Sequence, residues 1–325
     1  MQTIVFRGDG NENIGLGHIS RLTSCASFLK NEFKCILITK KNNSTITTLA
    51  EKYFDQIVEL DCNANIDDEI NLILKYSNYV VADGYHFDSA YQKQLKKHIK
   101  KLFYIDDLIL PGYYADVIIN HAPNVKSTDY KTNYINEYCL GLNYLMLRPE
   151  FFEKNNSTPI KKNILISFGG ADPENYSQYA LNCISSLKNN TVEIIKGGLN
   201  KNKIEVLDNK NFKVTNHLST KELIEKIKES KFVITSASTI AYEVCKLNTP
   251  LFIIKTADNQ NNIAQGLSEN GCAILLSGTN KVADEKLILN NLKENNLKEI
   301  QKKQSIYFNV DTKNNFITVF KKHCV

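Results

Sequence analysis

A histidine inside a glycine-rich segment is the side chain with the clearest chemical potential in this chain. The segment RGDGNENIGLGHISR runs from Arg7 to Arg21, and His18 directly follows the Gly-Leu-Gly triplet formed by Gly15, Leu16 and Gly17. Glycines let a backbone turn sharply and approach a ligand closely, while the start of a helix offers N–H groups to an anion. A neutral imidazole there could serve as a general base, although a capping histidine on a tight turn is the structural alternative. We expect this segment to supply the substrate ligands Arg7, Asp9, Gly15, Gly17 and Arg21.

A second set of polar residues follows the apolar run VVADGYH. Asp83 could be ionised near the active site and orient a catalytic group there, and Tyr85 could hold a substrate hydroxyl or amide. We therefore count both as candidate catalytic residues. The structural alternative is an aspartate that caps the next helix and a tyrosine that packs over it. Asp106 and Asp107 also end a run, but the chain contains no Asp-x-Asp pattern. A metal-held diphosphate is therefore disfavoured, and we expect no metal.

Two loops in the second half resemble anion-binding turns. SFGGADPEN carries Gly169 and Gly170 between a strand and a helix start, where an ordinary turn is the alternative. SASTIAYE places small hydroxyl residues at a helix start, where backbone and side chain together can bind phosphate. Glu243 lies on the early turns of that helix and could accept hydrogen bonds from a ribose diol, unless it is merely solvated. The remaining candidates for nucleotide binding are Ser236, Ala237, Ser238, Asn259 and Gln260.

The elements that must position these residues alternate along the chain. Short, nearly continuous apolar runs such as KCILITK and NILISFGG predict strands, and stretches such as HISRLTSCASFLKNEF predict helices. This alternation predicts an α/β protein with two doubly wound, Rossmann-like parallel sheets facing each other across a cleft. A polar stretch after Arg148 marks the boundary, so we expect domains at 1–155 and 156–325. The Lys/Asn-rich tail from about residue 282 either caps the second domain or crosses back to the first.

Composition narrows the class of protein. The net charge is +5, but only Arg7, Arg21 and Arg148 among the 40 basic residues are arginine. Proteins that recognise nucleic acids use arginine forks, so we expect no nucleic-acid partner. Because lysine is the usual basic residue of this chain, we expect the three arginines to have specific roles. Arg7 and Arg21 are expected to brace the loop around His18, and Arg148 the hinge at the domain boundary. The eight cysteines form no Cys-x-x-Cys pair. With no signal peptide and no membrane-length apolar run, we expect a cytoplasmic protein without membrane partners.

Several motifs occur in the order and spacing seen in the PseG family, the UDP-sugar hydrolases of pseudaminic acid biosynthesis. They are RGDGNENIGLGHISR, ADGYHF, YIDDL, LGLNYLMLRPEF, SFGGADPEN and SASTIAYEVCKLNTPLFIIKTADNQ. The chain resembles this family over about residues 1–275. The resemblance implies a GT-B architecture related to MurG-type transferases, with UDP held by the second domain and the sugar by the first. It also implies hydrolysis of UDP-2,4-diacetamido-2,4,6-trideoxy-β-L-altropyranose, with inversion at the anomeric carbon.

The family's functional residues map onto matching positions of this sequence. The resemblance implies that His18 is the catalytic base, that Tyr85 matches the family's tyrosine after the strand-end aspartate, and that Ser238 binds phosphate. It further implies that Glu243 binds the ribose, with Asn259 or Gln260 near the nucleotide. No cofactor and no metal are expected, and a UDP-sugar is the expected small-molecule partner.

Other readings of the sequence remain open. The chain could be a GT-B glycosyltransferase that uses a UDP-sugar donor, or a hydrolase of a related UDP-diacetamido sugar. A nucleotide-sugar binding module without turnover is a further possibility, against which His18 argues because binding alone requires no base. We expect a monomer, since no coiled-coil segment is evident.

Overall fold

The computed structural model contains two compact units. One comprises Met1–Pro149 together with Val310–Val325, and the other comprises Glu150–Asn309. The residues that the structure describes are 1–10, 16–40, 44–132, 134–153, 163–170, 172–187, 190–198, 200–205, 212–216 and 218–324.

The first unit is built on a seven-stranded parallel sheet in the order β3-β2-β1-β4-β5-β6-β7. Its strands are β1 (Thr3–Gly8), β2 (Lys34–Thr39), β3 (Gln56–Glu59), β4 (Tyr79–Asp83), β5 (Lys101–Ile105), β6 (Val117–Asn120) and β7 (Glu137–Leu140). Its first helices are α1 (Gly17–Leu29), α2 (Ser44–Ala50), α3 (Ile66–Leu74) and α4 (Ser89–Leu95). The central strands are apolar and fully buried, as a parallel sheet covered on both faces requires.

The second unit repeats this plan with six parallel strands in the order β10-β9-β8-β11-β12-β13. They are β8 (Asn163–Ser167), β9 (Thr191–Lys196), β10 (Phe212–Asn216), β11 (Ser230–Ser236), β12 (Leu251–Ile254) and β13 (Ile274–Leu276). The helices are α5 (Tyr176–Cys183), α6 (Thr220–Glu229), α7 (Thr239–Lys246), α8 (Asn261–Glu269), α9 (Lys281–Asn291) and α10 (Glu294–Tyr307). The α/β class with two doubly wound parallel sheets is confirmed.

Both sheets place their first and fourth strands side by side. The chain moves outward in one direction from β1 and in the other from β4, and β8 and β11 repeat this reversal. Such a switch point leaves a crevice at the carboxyl ends of the strands, where ligands bind in doubly wound sheets. In the first unit, Asp83 at the end of β4 pairs with Gly8 on one side and Ile105 on the other. The candidate residues therefore lie at the position where this topology favours binding.

The end of the chain belongs to the first unit. A last helix, α11 (Thr312–His323), stacks Phe320 on Phe103 with ring centroids 4.1 Å apart and an interplanar angle of 7°. Lys322 and His323 both contact the Glu137 carboxylate, at 2.6 and 2.7 Å. The tail from about residue 282 is thus divided: α9 and α10 belong to the second unit, and α11 crosses back to the first. The units differ from the expected limits 1–155 and 156–325, because Val310–Val325 joins the first and the division falls at Pro149.

Candidate active site

His18 is held at the start of α1 by the helix's buried face. Ile19, Leu22, Ala26 and Leu29 recur at helical spacing and have no exposed surface, so they fix the rotation of the helix. The Nδ1 atom of His18 lies 2.7 Å from the Oδ1 atom of Asp83, and the histidine is only 5% exposed. The structure therefore brings together two of the candidate catalytic residues.

Arg21 lies one helical turn after His18, where its guanidinium reaches the same aspartate. Its Nε and Nη2 atoms donate to the two carboxylate oxygens of Asp83 at 2.8 and 2.7 Å, a bidentate pair. Burial alone would raise the pKa of Asp83, but Arg21 and then His18 outweigh it and lower that pKa. Burial likewise opposes the charge of Arg21, yet Asp83 and Asp107 raise its pKa well above the usual value. Asp83 is therefore a carboxylate at neutral pH.

An ionised Asp83 determines which nitrogen of His18 carries the proton. A carboxylate can only accept, so the short contact to Asp83 requires a hydrogen on Nδ1. The Nη2 atom of Arg21 also lies 2.9 Å from Nδ1, and both groups converge on the same Asp83 oxygen. In the neutral ring the lone pair then resides on Nε2, which is the nitrogen able to take a proton.

Tyr85 and Asp107 complete the cluster around His18. The Tyr85 ring meets the imidazole edge to face, with centroids 4.7 Å apart and an interplanar angle of 85°. Its hydroxyl donates to Asp107 Oδ2 at 3.1 Å, and Arg21 Nη1 donates to the same oxygen at 2.7 Å. Sequence reasoning weighed Asp107 only as a metal ligand and missed this role. The signal available in the sequence was its place just after the apolar run that forms β5.

Arg7 and Asp9 lie in a separate buried network. Arg7 donates from Nη1 to Asp9 at 2.6 Å and from Nε to Glu69 at 2.7 Å, and it has no exposed surface. Burial opposes the ionisation of Asp9, but hydrogen bonds from His86 and Arg7 lower its pKa. This pairing favours the bracing role expected for Arg7 over a direct contact with substrate. Of the glycines predicted beside it, Gly17 is exposed at the start of α1, and Gly15 lies outside the described residues.

His121 is a buried histidine that sequence reasoning missed. It follows β6 directly, and its Nδ1 atom accepts a hydrogen bond from the backbone N–H of Met146 at 3.1 Å. Burial, followed by the charge of Arg21, lowers the pKa of His121 to about 3. It therefore stays neutral next to the His18 cluster over the physiological pH range.

In the second unit, three small residues form a tight turn at the end of β11. The hydroxyl groups of Ser236 and Ser238 are hydrogen-bonded, with their oxygens 2.8 Å apart. The backbone N–H of Ala237 donates to the carbonyl oxygen of Ile254 at 2.9 Å. Ser238 precedes α7, and its own side chain makes no capping hydrogen bond to the first amides of this helix. Those amides, together with the positive end of the helix dipole, suit a phosphate.

The glycine loop after β8 is packed against another glycine. Gly169 has a positive φ of 77°, and a Cβ atom on Gly197 would lie 2.3 Å from its carbonyl oxygen. Gly197, which sequence reasoning missed, is therefore required for the close approach of the Gly169–Gly170 turn. The first amides of α5 are taken by Asp172, which accepts from the N–H groups of Tyr176 and Ser177 at 2.8 and 3.0 Å. An anion at this loop would consequently meet the glycine backbone rather than the end of α5.

The remaining nucleotide-binding candidates differ in their surroundings. Glu243 is 4% exposed, so the alternative of a solvated helix carboxylate is wrong. Gln260 folds its amide back onto Thr256, with its Oε1 atom 2.8 Å from that backbone N–H, and therefore braces its own loop. Asn259 lies exposed in the short 3₁₀ turn before α8.

The described residues show neither a metal-binding cluster nor a membrane-spanning helix. In that part of the chain, no group of three or more His, Cys, Asp or Glu side chains is arranged to hold a metal ion. Across the same residues, no helix is both long and apolar enough to cross a bilayer.

Comparison with known sequences yields distant relatives. No family model matches the chain. It is 24% identical to the UDP-2,4-diacetamido-2,4,6-trideoxy-β-L-altropyranose hydrolase of Campylobacter jejuni over 274 residues, which is 82% of this chain and 97% of that protein. It is 26% identical over 269 residues to an uncharacterized protein of Methanocaldococcus jannaschii. That match covers 76% of this chain, which spans about half (54%) of the archaeal protein.

Comparison with solved structures concerns the fold. MurG of Acinetobacter baumannii superposes with a TM-score of 0.67 at 14% identity, over 99% of this chain and all of that one. The spinosyn rhamnosyltransferase SpnG, complexed with thymidine diphosphate, superposes with a TM-score of 0.71 at 9% identity, over 98% and 100% of the two chains. These likenesses confirm the GT-B fold class.

Proposed function

We propose that this protein is a UDP-sugar hydrolase in which His18 is the general base. The observation that carries the proposal is the 2.7 Å contact between His18 Nδ1 and an ionised Asp83. That contact orients the imidazole and leaves the proton-accepting lone pair on Nε2. A binding module would need no such arrangement, so the geometry favours turnover.

In the proposed reaction, water attacks the anomeric carbon while His18 Nε2 takes one of its protons. The bond from that carbon to the diphosphate oxygen breaks, UDP departs with the bonding electrons, and the configuration inverts. We assign the second unit to UDP: the α7 amides and the Ser236–Ser238 turn to phosphate, and Glu243 to the ribose. Backbone dipoles aimed at the leaving diphosphate stabilise its charge, so the scheme calls for no metal.

The proposed substrate is UDP-2,4-diacetamido-2,4,6-trideoxy-β-L-altropyranose, or a close diacetamido isomer. The support is the Campylobacter jejuni hydrolase, which aligns over nearly its whole length at 24% identity. The order of the sequence motifs around His18, Asp83, Ser238 and Glu243 supports the same assignment.

Glycosyl transfer from a UDP-sugar is the second candidate function. The support for this function is the fold that the chain shares with the rhamnosyltransferase SpnG. In that case an acceptor hydroxyl would replace water and lose its proton to the same nitrogen of His18.

The deciding experiment is incubation of the purified chain with a panel of UDP-2,4-diacetamido sugars and no acceptor. Hydrolysis predicts equal amounts of UDP and free sugar, with the inverted anomer seen first by NMR and the rate unchanged by EDTA. His18→Asn should abolish turnover while UDP still binds. Absence of free sugar from every panel member, with product formed only after an acceptor is added, would establish transfer instead.

A further inference from the structure

Asp107 joins an exposed residue of the His18 cluster to a mostly buried one. Its Oδ2 atom accepts from the Tyr85 hydroxyl at 3.1 Å and from Arg21 Nη1 at 2.7 Å. Tyr85 is 49% exposed, whereas the side chains of Asp107 and Arg21 are only 19% and 11% exposed. A single carboxylate oxygen thus ties the accessible tyrosine to the interior of the cluster.

The contacts continue from Asp107 to the imidazole by two routes. Through Arg21, they pass to Asp83 and then to His18 Nδ1. Through Tyr85, they return to the imidazole, since the two rings pack edge to face. The five side chains therefore form a closed ring of contacts, in which Asp107 is the member farthest along the contacts from His18.

This arrangement has two physical consequences. A half-exposed tyrosine has rotational freedom in water, and a hydrogen bond to a partly buried carboxylate restricts it. The bond also uses the only proton of the hydroxyl, so Tyr85 presents acceptor lone pairs to its remaining surroundings. In addition, Asp107 shares the guanidinium of Arg21 with Asp83, which limits how strongly Arg21 competes for the oxygen that His18 needs.

We infer that Asp107 is a positioning residue of this site, acting on the reaction through Tyr85 and Arg21. The inference rests on the proposed function and deepens it. It assigns a role to a carboxylate other than Asp83, and it makes Tyr85 an acceptor for a substrate N–H or O–H group.

The kinetic test compares Asp107→Ala, Asp107→Asn, Tyr85→Phe and the double variant Asp107→Ala/Tyr85→Phe in the full chain. Asp107→Ala should lower kcat about 10- to 100-fold, the effect of a small misplacement of reacting groups. Asp107→Asn keeps an acceptor oxygen and should stay within about fivefold of wild type, while the acid limb of its kcat/KM profile moves to lower pH because a negative charge is lost. The double variant should be no slower than Asp107→Ala, since both single changes break one contact.

A second readout does not depend on activity. In protein labelled with ¹⁵N-histidine, the His18 signals, assigned with His18→Asn, report which ring nitrogen is protonated. Asp107→Ala should reduce the Nδ1-protonated fraction of His18, whereas the exposed control Asp61→Asn should leave it unchanged. If Asp107→Ala does not fold, the NMR spectrum and acid limb of Asp107→Asn decide in its place.

Three outcomes would overturn the inference. One is wild-type kcat with an unchanged His18 spectrum in Asp107→Ala. Another is an Asp107→Asn variant as slow as Asp107→Ala, and the third is a double variant in which the two losses multiply. If the wild type cleaves no UDP-sugar at all, the proposed function fails. The inference about Asp107 is then judged on the His18 spectrum alone, where an unchanged tautomer rejects it.

Discussion

His18 and Asp83 are 65 positions apart in the chain, yet their Nδ1 and Oδ1 atoms lie within 2.7 Å of each other. The contact forms because β1 and β4 are neighbours at the switch point of the first sheet, while α1 starts just beyond β1. The same topology adds Asp107, which follows β5. Three consecutive strands of the sheet thus contribute to one polar cluster.

The Asp83→Asn variant should lose most of its activity. An amide that faces Nδ1 with its NH2 group favours the opposite tautomer, so kcat should fall about 10²- to 10⁴-fold in an assay of UDP release. Asp116→Asn is the matched control, because Asp116 is also buried and paired with a cation, Lys96, at 2.6 Å. Both variants should melt at lower temperature, whereas only Asp83→Asn should lose kcat; equal kcat losses would contradict the assignment.

His121 should make the first unit sensitive to acid. Its pKa of about 3 lies below the ordinary histidine value of about 6.5, so the unfolded chain takes up this proton first as the pH falls. The contribution of neutral His121 to the free energy of unfolding is therefore fully present above pH 6.5 and is lost as the pH falls toward 3. About 2 kcal/mol of it is lost by pH 5. His121→Asn should reduce the change in urea midpoint between pH 7 and pH 5, and the exposed His98→Asn should not. Parallel pH curves for wild type and His121→Asn would disprove this.

Gly197→Ala should disturb the loop at Gly169 and Gly170. The added methyl group would lie 2.3 to 2.6 Å from backbone atoms of that turn, which must then move. We expect a stability loss of about 1–3 kcal/mol and at least tenfold weaker binding of UDP by calorimetry. Gly170→Ala is the control for stability, because its Cβ would meet nothing within 4 Å and its φ is not positive. A Gly197→Ala protein with unchanged melting and unchanged affinity would refute the prediction.

Glu243 should discriminate between UDP and 2′-deoxy-UDP. If its carboxylate accepts from the ribose, Glu243→Gln should weaken UDP binding about 10- to 100-fold, the usual worth of a hydrogen bond to a charged group. The same change should weaken 2′-deoxy-UDP binding less, because that ligand already lacks one donor. Calorimetric titration of both ligands checks this; an equal loss for both would place the carboxylate away from the ribose diol.

Phe320→Ala should destabilise the first unit although it lies near the end of the chain. Its ring is fully buried and stacks on Phe103, so the cost should be about 3–5 kcal/mol. The neighbouring control Lys321→Ala removes only an exposed ion pair with Glu32 at 2.8 Å and should cost less than about 1 kcal/mol. Denaturant unfolding of both variants measures the difference, and similar midpoints would contradict the packing.

The strands that could be predicted from the sequence are those with long apolar runs. Such runs are lacking in β3, β7 and β10, and these three strands all lie at sheet edges. Their sequences QIVE, EYCL and FKVTN are short and mixed, because an edge strand is less covered and needs fewer apolar side chains. The apolar signal therefore weakens where burial decreases.

Within the site, predictability followed distance along the chain. Arg21 and His18 belong to one short segment of the sequence, which singled out both of them, and the end of an apolar run singled out Asp83. The contacts of Asp107 and Gly197 depend on which strands are neighbours in the sheet, information that local patterns do not contain. The sequence also left open which unit the tail packs against, because the answer depends on the stacking of Phe320 on Phe103.

The return of α11 to the first unit has a consequence for how the protein is made. A ribosome completes β1 to β7 early, but Phe320 emerges about 200 residues after Phe103, a delay of about 10 to 40 s at common rates of synthesis. During that interval the apolar surface that α11 will cover stays exposed on the nascent chain. It is then available for chaperone binding or aggregation. The first unit is thus the first to be translated, yet it cannot be completed before the second has emerged.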